Sequence, residues 1–225
     1  MKILFVSATE FEIAPLLKNF KMILSGKMLT TFHFKKHTID ILVTGAGMTA
    51  TAFYLGKTLN KKYDFAINFG TAGSFKKNIP PGTVVNVVND CFADLGAEDG
   101  EKLITLSEMG LAKKVLYFNK YKNSSIKRII EGLPKVNGIT VNTTHGNETS
   151  IQKVVKKFNS DIESMEGAAF FYACNKEKIP CIQIRSISNY VERRNKKKWK
   201  MKLAIKNLNL FAFYLSCRIA CNNCI

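Results

Sequence analysis

The feature that most constrains this chain is a repeated unit in which a short apolar run ends at small residues and is followed by apolar positions at helical spacing. Lys2–Ser7 (KILFVS) is such a run, and Phe11, Ala14, Leu16 and Leu17 then recur at helical spacing across Glu10–Asn19. Ile39–Val43 is a buried-type strand closed by Gly45-Ala46-Gly47, and Thr49–Asn60 follows as a helix with Ala52, Leu55 and Leu59 on one face. The unit returns at Asp64–Phe69, closed by Gly70-Thr71-Ala72-Gly73. Pro80-Pro81-Gly82 reads as a turn and the β-branched stretch Thr83–Val88 as a strand. Beyond it come a polar loop at Ala93–Lys102, a less regular middle, and a strand near Ile139–Thr143. The spacing then predicts a helix over Glu166–Asn175, a strand over Cys181–Ile187 and a last helix over Met201–Ser216. No internal repeat, Pro-rich linker or low-complexity break divides the chain, so residues 1–225 are expected to form one α/β domain.

Composition removes several classes of protein. With 225 residues, 46% of them hydrophobic and 23% charged, the chain can bury a sizeable core, and disorder is not expected. No segment approaches the roughly 18 uncharged apolar residues of a membrane helix, Leu208–Cys217 being too short. The opening MKILFVSATEFE is interrupted by Glu10 and Glu12 and lacks a cleavage site of small residues, so a cytoplasmic location is expected. The net charge of +17 comes from 34 Lys and Arg against 17 Asp and Glu, and nearly all of the excess is Lys. Only Arg128, Arg185, Arg193, Arg194 and Arg218 are arginines, a pattern closer to the codon bias of an AT-rich genome than to selection for a polyanion. Nucleic acid is therefore not the expected partner, although Arg193–Lys202 (RRNKKKWKMK) is densely basic. Cys91, Cys174, Cys181, Cys217, Cys221 and Cys224 are scattered as in a reduced protein. The last three have C-x3-C-x2-C spacing but read as a frayed tail. His33, His37 and His145 show no metal-ligand spacing with them, so neither a metal nor a cofactor is expected.

Strand ends rich in glycine are where an open α/β sheet places its ligand. Taken singly, the two glycine loops are ambiguous: Gly45–Gly47 lacks a third glycine and a Lys-Ser/Thr, and either loop could simply turn a corner. Four features in order carry more. They are Glu12 in ATEFE, the loop Asn68–Gly73 (NFGTAG), Glu163–Ala169 (ESMEGAA), and Arg185–Asn189 (RSISN).

In this order and at these separations the motifs resemble the nucleoside phosphorylase and nucleosidase superfamily, over about residues 1–210. Met165-Glu166 before Gly167-Ala168-Ala169 is the most specific element. Within the superfamily, Phe92–Gly100 (FADLGAEDG) together with Arg185–Glu192 (RSISNYVE) looks most like the futalosine hydrolase branch. The resemblance implies a single three-layer α/β domain with a mixed central sheet, a small nucleoside as substrate, no cofactor or metal, and a homo-oligomer of at least two copies. It also implies roles. Met165 packs against the ribose, Glu166 binds its hydroxyls, and Thr71, Ala72 and Gly73 lie along ribose and base. Ser188 and Asn189 stand at the base, and Arg185 helps hold the attacking water and the acidic pair. Glu163 is the register-shifted alternative to Glu166, and Val141–Glu148 (VNTTHGNE), with His145, is a wall of the base pocket.

The chemistry favours water over phosphate as the attacking partner. Phosphorylases of the superfamily carry Arg in the first loop and just before the central glycine loop, whereas those places here hold Ala8–Glu12 and Asn68. A carboxylate repels phosphate but can orient and deprotonate water, so Glu12 reads as the general base. The negative charge of Glu166 near the sugar favours the developing cation. Methylthioadenosine/S-adenosylhomocysteine nucleosidases have Asp where this chain has Asn189. An amide donates to N7 or O6 but is a poor acid, so Asn189 favours a 6-oxopurine such as hypoxanthine. A flipped amide accepts from an amino group, which keeps aminodeoxyfutalosine as an alternative, and an adenine-specific nucleosidase acting on methylthioadenosine or S-adenosylhomocysteine is the runner-up, which Asp at 189 would have supported. A basic binding protein that kept the fold and lost the chemistry is the rival outside the enzyme class. The resemblance fades after about Asn209, the tail 211–225 is atypical, and Arg193 stands where the family pattern has Pro.

Overall fold

The computed structural model describes residues 1–26, 28–59, 63–111, 117–118 and 124–220. Lys2–Ser7 forms strand β1, whose residues serve two cores: Ile3 and Phe5 enter one hydrophobic cluster, Leu4 an adjacent one with Val6. Both faces of the strand are covered, and for that reason the run is apolar without alternation. There follow α1 (Glu10–Leu17), β2 (Lys21–Ser25), β3 (Leu29–Phe34), β4 (His37–Val43), α2 (Met48–Thr58) and β5 (Phe65–Ser74). Next come β6 (Val84–Asp90), β7 (Gly96–Asp99), β8 (Lys102–Thr105), β9 (Tyr117–Phe118), α3 (Ser124–Glu131) and β10 (Lys135–Thr140). The order ends with α4 (Glu148–Phe158), β11 (Ile162–Ser164), α5 (Gly167–Lys176), β12 (Cys181–Tyr190) and α6 (Met201–Ala220).

The main sheet runs β11-β10-β6-β12-β5-β1-β4-β3-β2 and is mixed. Strands β4, β1, β5 and β12 are mutually parallel, and β6 lies antiparallel to β12. Residues of α1, α3 and α6 pack one face around Leu16, Ile130 and Leu208, while α2 and α5 cover the other with Leu55, Phe170 and Phe171. The result is the expected three-layer α/β domain. One further pairing curls the sheet: Ile162 and Glu163 of β11 pair antiparallel with Ser74 and Gly73 at the end of β5. The strands β5, β12, β6, β10 and β11 thus close on themselves, and the mouth of that closure is where the site lies. Among the described residues no helix is long and apolar enough to cross a membrane.

Several expectations are corrected. Asn68–Gly73 is not a loop: β5 continues through it to Ser74, because after β1 has ended its second half keeps β12 as a neighbour and gains β11 at its end. Likewise β12 runs on to Tyr190, so Ser188 and Asn189 belong to a strand, with a register shift between Ile187 and Asn189. The polar stretch Ala93–Lys102 holds β7 and the start of its hairpin partner β8. The less regular middle contains α3, β10 ends at Thr140, and α4 follows where no helix was expected. Strands β2 and β3 carried no alternation signal, since β2 is an exposed edge. The tail is helical rather than frayed as far as Ala220, for Leu215 and Ile219 are buried in the core. Cys91, Cys174, Cys181 and Cys217 are free thiols, and Cys221 and Cys224 lie outside the described residues.

Candidate active site

A cavity of about 690 Å³ opens where the ends of β1, β4, β5, β11 and β12 converge. Glu12, Thr71, Ala72, Gly73, Met165, Glu166, Ser188 and Asn189, all singled out from the sequence, line it. Arg185 stands just behind, 1% exposed.

Glu12 sits in the first turn of α1, and its carboxylate is held from four directions. Oε1 accepts from the Thr71 amide at 2.8 Å and the Thr71 hydroxyl at 3.0 Å. Oε2 accepts from Thr9 Oγ1 at 3.2 Å and Ser7 Oγ at 3.3 Å. Thr71 therefore spends both of its donors on Glu12. The helix backbone around Glu12 is fastened as well. Asn209 of α6 donates from Nδ2 to the Glu12 carbonyl at 2.8 Å and accepts at Oδ1 from the Leu16 amide at 2.9 Å. Those are the two groups an α-helix would join to each other, so a side chain from the far end of the chain is stitched into α1.

Glu166 precedes α5 as its N-cap residue, yet its side chain makes no capping bond to its own helix. It reaches across instead, accepting from the Gly47 amide at 3.0 Å and lying 3.5 Å from Arg185 Nη1. The Gly45–Gly47 turn thus aims a backbone donor at a carboxylate. Burial pushes the Glu166 carboxyl above its ordinary range, Arg185 and the Gly47 amide pull it back, and Glu12 pushes it up again.

Arg185 has committed every arm. Nε donates to Gln183 Oε1 at 3.0 Å, Nη2 to Asn68 Oδ1, and Nη1 faces Glu166. Gln183 in turn donates to Asp90 Oδ2 at 3.0 Å, and Thr140 Oγ1 donates to Asp90 Oδ1 at 2.9 Å. Burial raises the Asp90 carboxyl to about 6 against these donors. Gly70 is required for the arrangement, because a Cβ there would collide with Arg185 Nη1.

At the other end of the cavity, Asn189 Nδ2 donates to the Tyr190 carbonyl at 2.9 Å, which leaves Oδ1 to accept the Ser188 hydroxyl at 2.7 Å. A carbonyl can only accept, so this pair fixes which way the amide points. Beside it stand two residues that the sequence reading ranked low. Glu163, 4% exposed, accepts the His145 amide at 3.0 Å on one oxygen and pairs with His145 Nδ1 at 2.7 Å on the other. Glu163 thus faces His145, whereas Glu166 faces Gly47 and Arg185. The signal that could have marked it was its place one residue before Ser164 on a short strand, where a buried acid needs a donor. The basic run after Glu192 forms part of the rim: Arg194 stacks over Trp199, 5.1 Å from the ring centroid, and Lys198 pairs with Glu192 at 3.1 Å.

Comparison with known proteins places this geometry. The family model described as "Phosphorylase superfamily" matches residues 2–213. The futalosine hydrolase of Thermus thermophilus is 27% identical over 173 residues, covering 74% of this chain and 76% of that protein. A 5'-methylthioadenosine/S-adenosylhomocysteine nucleosidase of Buchnera aphidicola subsp. Baizongia pistaciae is 28% identical over 211 residues, covering 86% of this chain and 80% of that one. Among solved structures, the native futalosine hydrolase of Helicobacter pylori superposes with a TM-score of 0.80 at 18% identity, covering 97% of each chain.

Proposed function

The chain belongs to the phosphorylase superfamily, as a nucleosidase of the futalosine hydrolase and methylthioadenosine/S-adenosylhomocysteine type, and from that premise we propose that it hydrolyses futalosine and releases hypoxanthine. The observation that carries this reading is the pair of carboxylates, Glu12 and Glu166, facing one cavity with Arg185 wholly engaged behind them.

An incoming phosphate would meet Glu12, Glu163, Glu166 and Glu192 along the wall, Arg185 behind them has every nitrogen engaged, and Arg194, the arginine that lines the cavity, stacks on Trp199 at the rim. Water suffers no such repulsion. In the reaction, Glu12 takes a proton from water as the water oxygen bonds to C1′ of the ribose. The glycosidic bond breaks with its electron pair going to the purine. Glu166 accepts hydrogen bonds from the ribose hydroxyls, and its charge stabilises the oxocarbenium-like transition state. Met165 packs against the sugar, and the backbone of Ala72 and Gly73 borders the base. Asn189, with its oxygen engaged by Ser188, has a remaining amide hydrogen for O6 or N7, which supports a 6-oxopurine over adenine. We also place the enzyme in the cytoplasm as a homo-oligomer of at least two copies. Phe11, 63% exposed beside the cavity, is an apolar residue that a neighbouring copy would cover.

The test is an end-point assay of released base with futalosine, aminodeoxyfutalosine and methylthioadenosine, each with and without phosphate. Hypoxanthine released from futalosine independently of phosphate is the expected result. Glu12→Gln should lose on the order of 10³ in kcat with its fold intact. Adenine released from methylthioadenosine in preference would replace the substrate and keep the role of Glu12. A requirement for phosphate would overturn the hydrolytic step, and release from none of the three would leave only a binding protein.

A further inference from the structure

Hydrolysis of a purine nucleoside needs two proton transfers, one from water and one to the departing base, and the second has no donor in the scheme above. An amide is not an acid of useful strength, so Asn189 can hold the base without protonating it. We infer that His145, oriented by Glu163, is the general acid that protonates the leaving purine, an inference that rests on the nucleosidase reading.

Three observations carry it. First, Glu163 grips His145 twice, through the backbone amide at 3.0 Å and through Nδ1 at 2.7 Å, so the ring is fixed in direction as well as place. A carboxylate accepts only, so the Nδ1 proton faces Glu163 and Nε2 is the nitrogen left to act. Second, the pair stands at the base end. A Cβ on Gly73 would be 3.4 Å from Asn189 Nδ2 and 3.8 Å from Glu163 Cγ, so the amide and the carboxylate side chain converge on one point of the cavity wall. Third, a buried acid whose two oxygens both serve one histidine is an expensive arrangement for a loop to keep unless it orients that ring. His145 also borders a second cavity, of about 1050 Å³, beside the β7–β8 hairpin. That position puts it on the wall rather than in the core.

As the bond between C1′ and the purine nitrogen breaks, its electron pair enters the base, and the protonated ring of His145 gives its Nε2 proton to N7. Asn189 Nδ2 donates to O6. The proton that Glu12 has taken from water returns to solvent, and His145 recovers one from solvent. Glu163 touches no reacting atom and is a positioning residue.

Two measurements test the inference. In the kinetic one, wild type, His145→Gln and Glu163→Gln are compared on futalosine and on 4-nitrophenyl β-ribofuranoside, whose leaving group departs without a proton. His145→Gln should lose on the order of 10² in kcat on futalosine. It should lose less than about threefold on the nitrophenyl riboside, where no acid is needed. Glu163→Gln, which keeps an acceptor for the ring, should lose about tenfold on the purine substrate alone. Equal losses on both substrates, or none on futalosine, would overturn the assignment. In the second, the imidazole ¹⁵N signals of His145 are followed in wild type as hypoxanthine is added. A shift confined to Nε2 is expected, and no response would overturn it. If wild type releases no base from any nucleoside, the proposed function fails, and the hypoxanthine titration still decides whether His145 meets the base.

Discussion

Where Glu12, Glu166 and Arg185 meet, the acting groups are anchored by the sheet and its helices. Glu12 has four donors on its oxygens and a fifth and sixth bond on its helix backbone, and Arg185 is locked among Asn68, Gln183 and Glu166. Where Asn189 and His145 line the cavity, each group hangs on one or two bonds and sits at a strand end or in the 141–147 segment. The difference teaches how labour is divided in such a site. On the proposed function, the atoms that act on every substrate are over-determined, and those that read the base are held by contacts a single substitution can redirect.

The strongest way to break this contrast is at Gly70. Gly70→Ala puts a methyl where Arg185 Nη1 lies, and the guanidinium cannot retreat without abandoning buried partners. We expect a loss on the order of 10² in kcat/KM. Urea unfolding should show about 3 kcal/mol less stability, as when a buried ion pair is broken. Activity within a few-fold of wild type would mean that the sugar end is not rigid.

Behind Arg185, Asp90 offers a second, smaller test. Its folded pKa, about 6, lies above the ordinary 3.8, so folding favours the protonated form. The penalty for ionising it is absent well below pH 4, grows as pH rises, and is complete above about pH 6. The unfolding free energy of Asp90→Asn relative to wild type should therefore move in favour of the variant by about 2 kcal/mol between pH 4 and pH 7.5. A pH-independent difference would show that the charge is accommodated.

The base end should respond in kind rather than in amount. Asn189→Asp is expected to shift the ratio of kcat/KM for aminodeoxyfutalosine over futalosine about tenfold toward the adenine substrate. Stability should change by less than about 0.5 kcal/mol, because the residue is only partly buried. Loss of turnover on both substrates would erase the distinction between the ends.

The same contrast explains what could be read from the amino acids. Glu12, Met165, Glu166, Arg185, Ser188 and Asn189 stand in the motifs that carry the family resemblance, and it was the resemblance that placed them in one site before any coordinates. The strand character of Asn68–Gly73 was not, because small residues there signal a loop by composition, and only pairing with β11 and β12 makes them a strand. The resemblance implies Thr71 as a substrate contact, and nothing local reveals that Glu12, 59 positions away, claims both of its donors. His145 and Glu163 were undervalued because a polar loop with one histidine is common, and their pairing depends on how β11 curls back.

The stitch made by Asn209 carries a consequence for the order of events during biosynthesis. The residue that sets the helix backbone at Glu12 is 197 positions downstream of it, near the middle of the last helix. A ribosome must have released the chain as far as α6 before that amide can dock. The N-terminal half of the site can be translated early, but it is armed late, and a nascent chain would have the acid without its lock until α6 arrives.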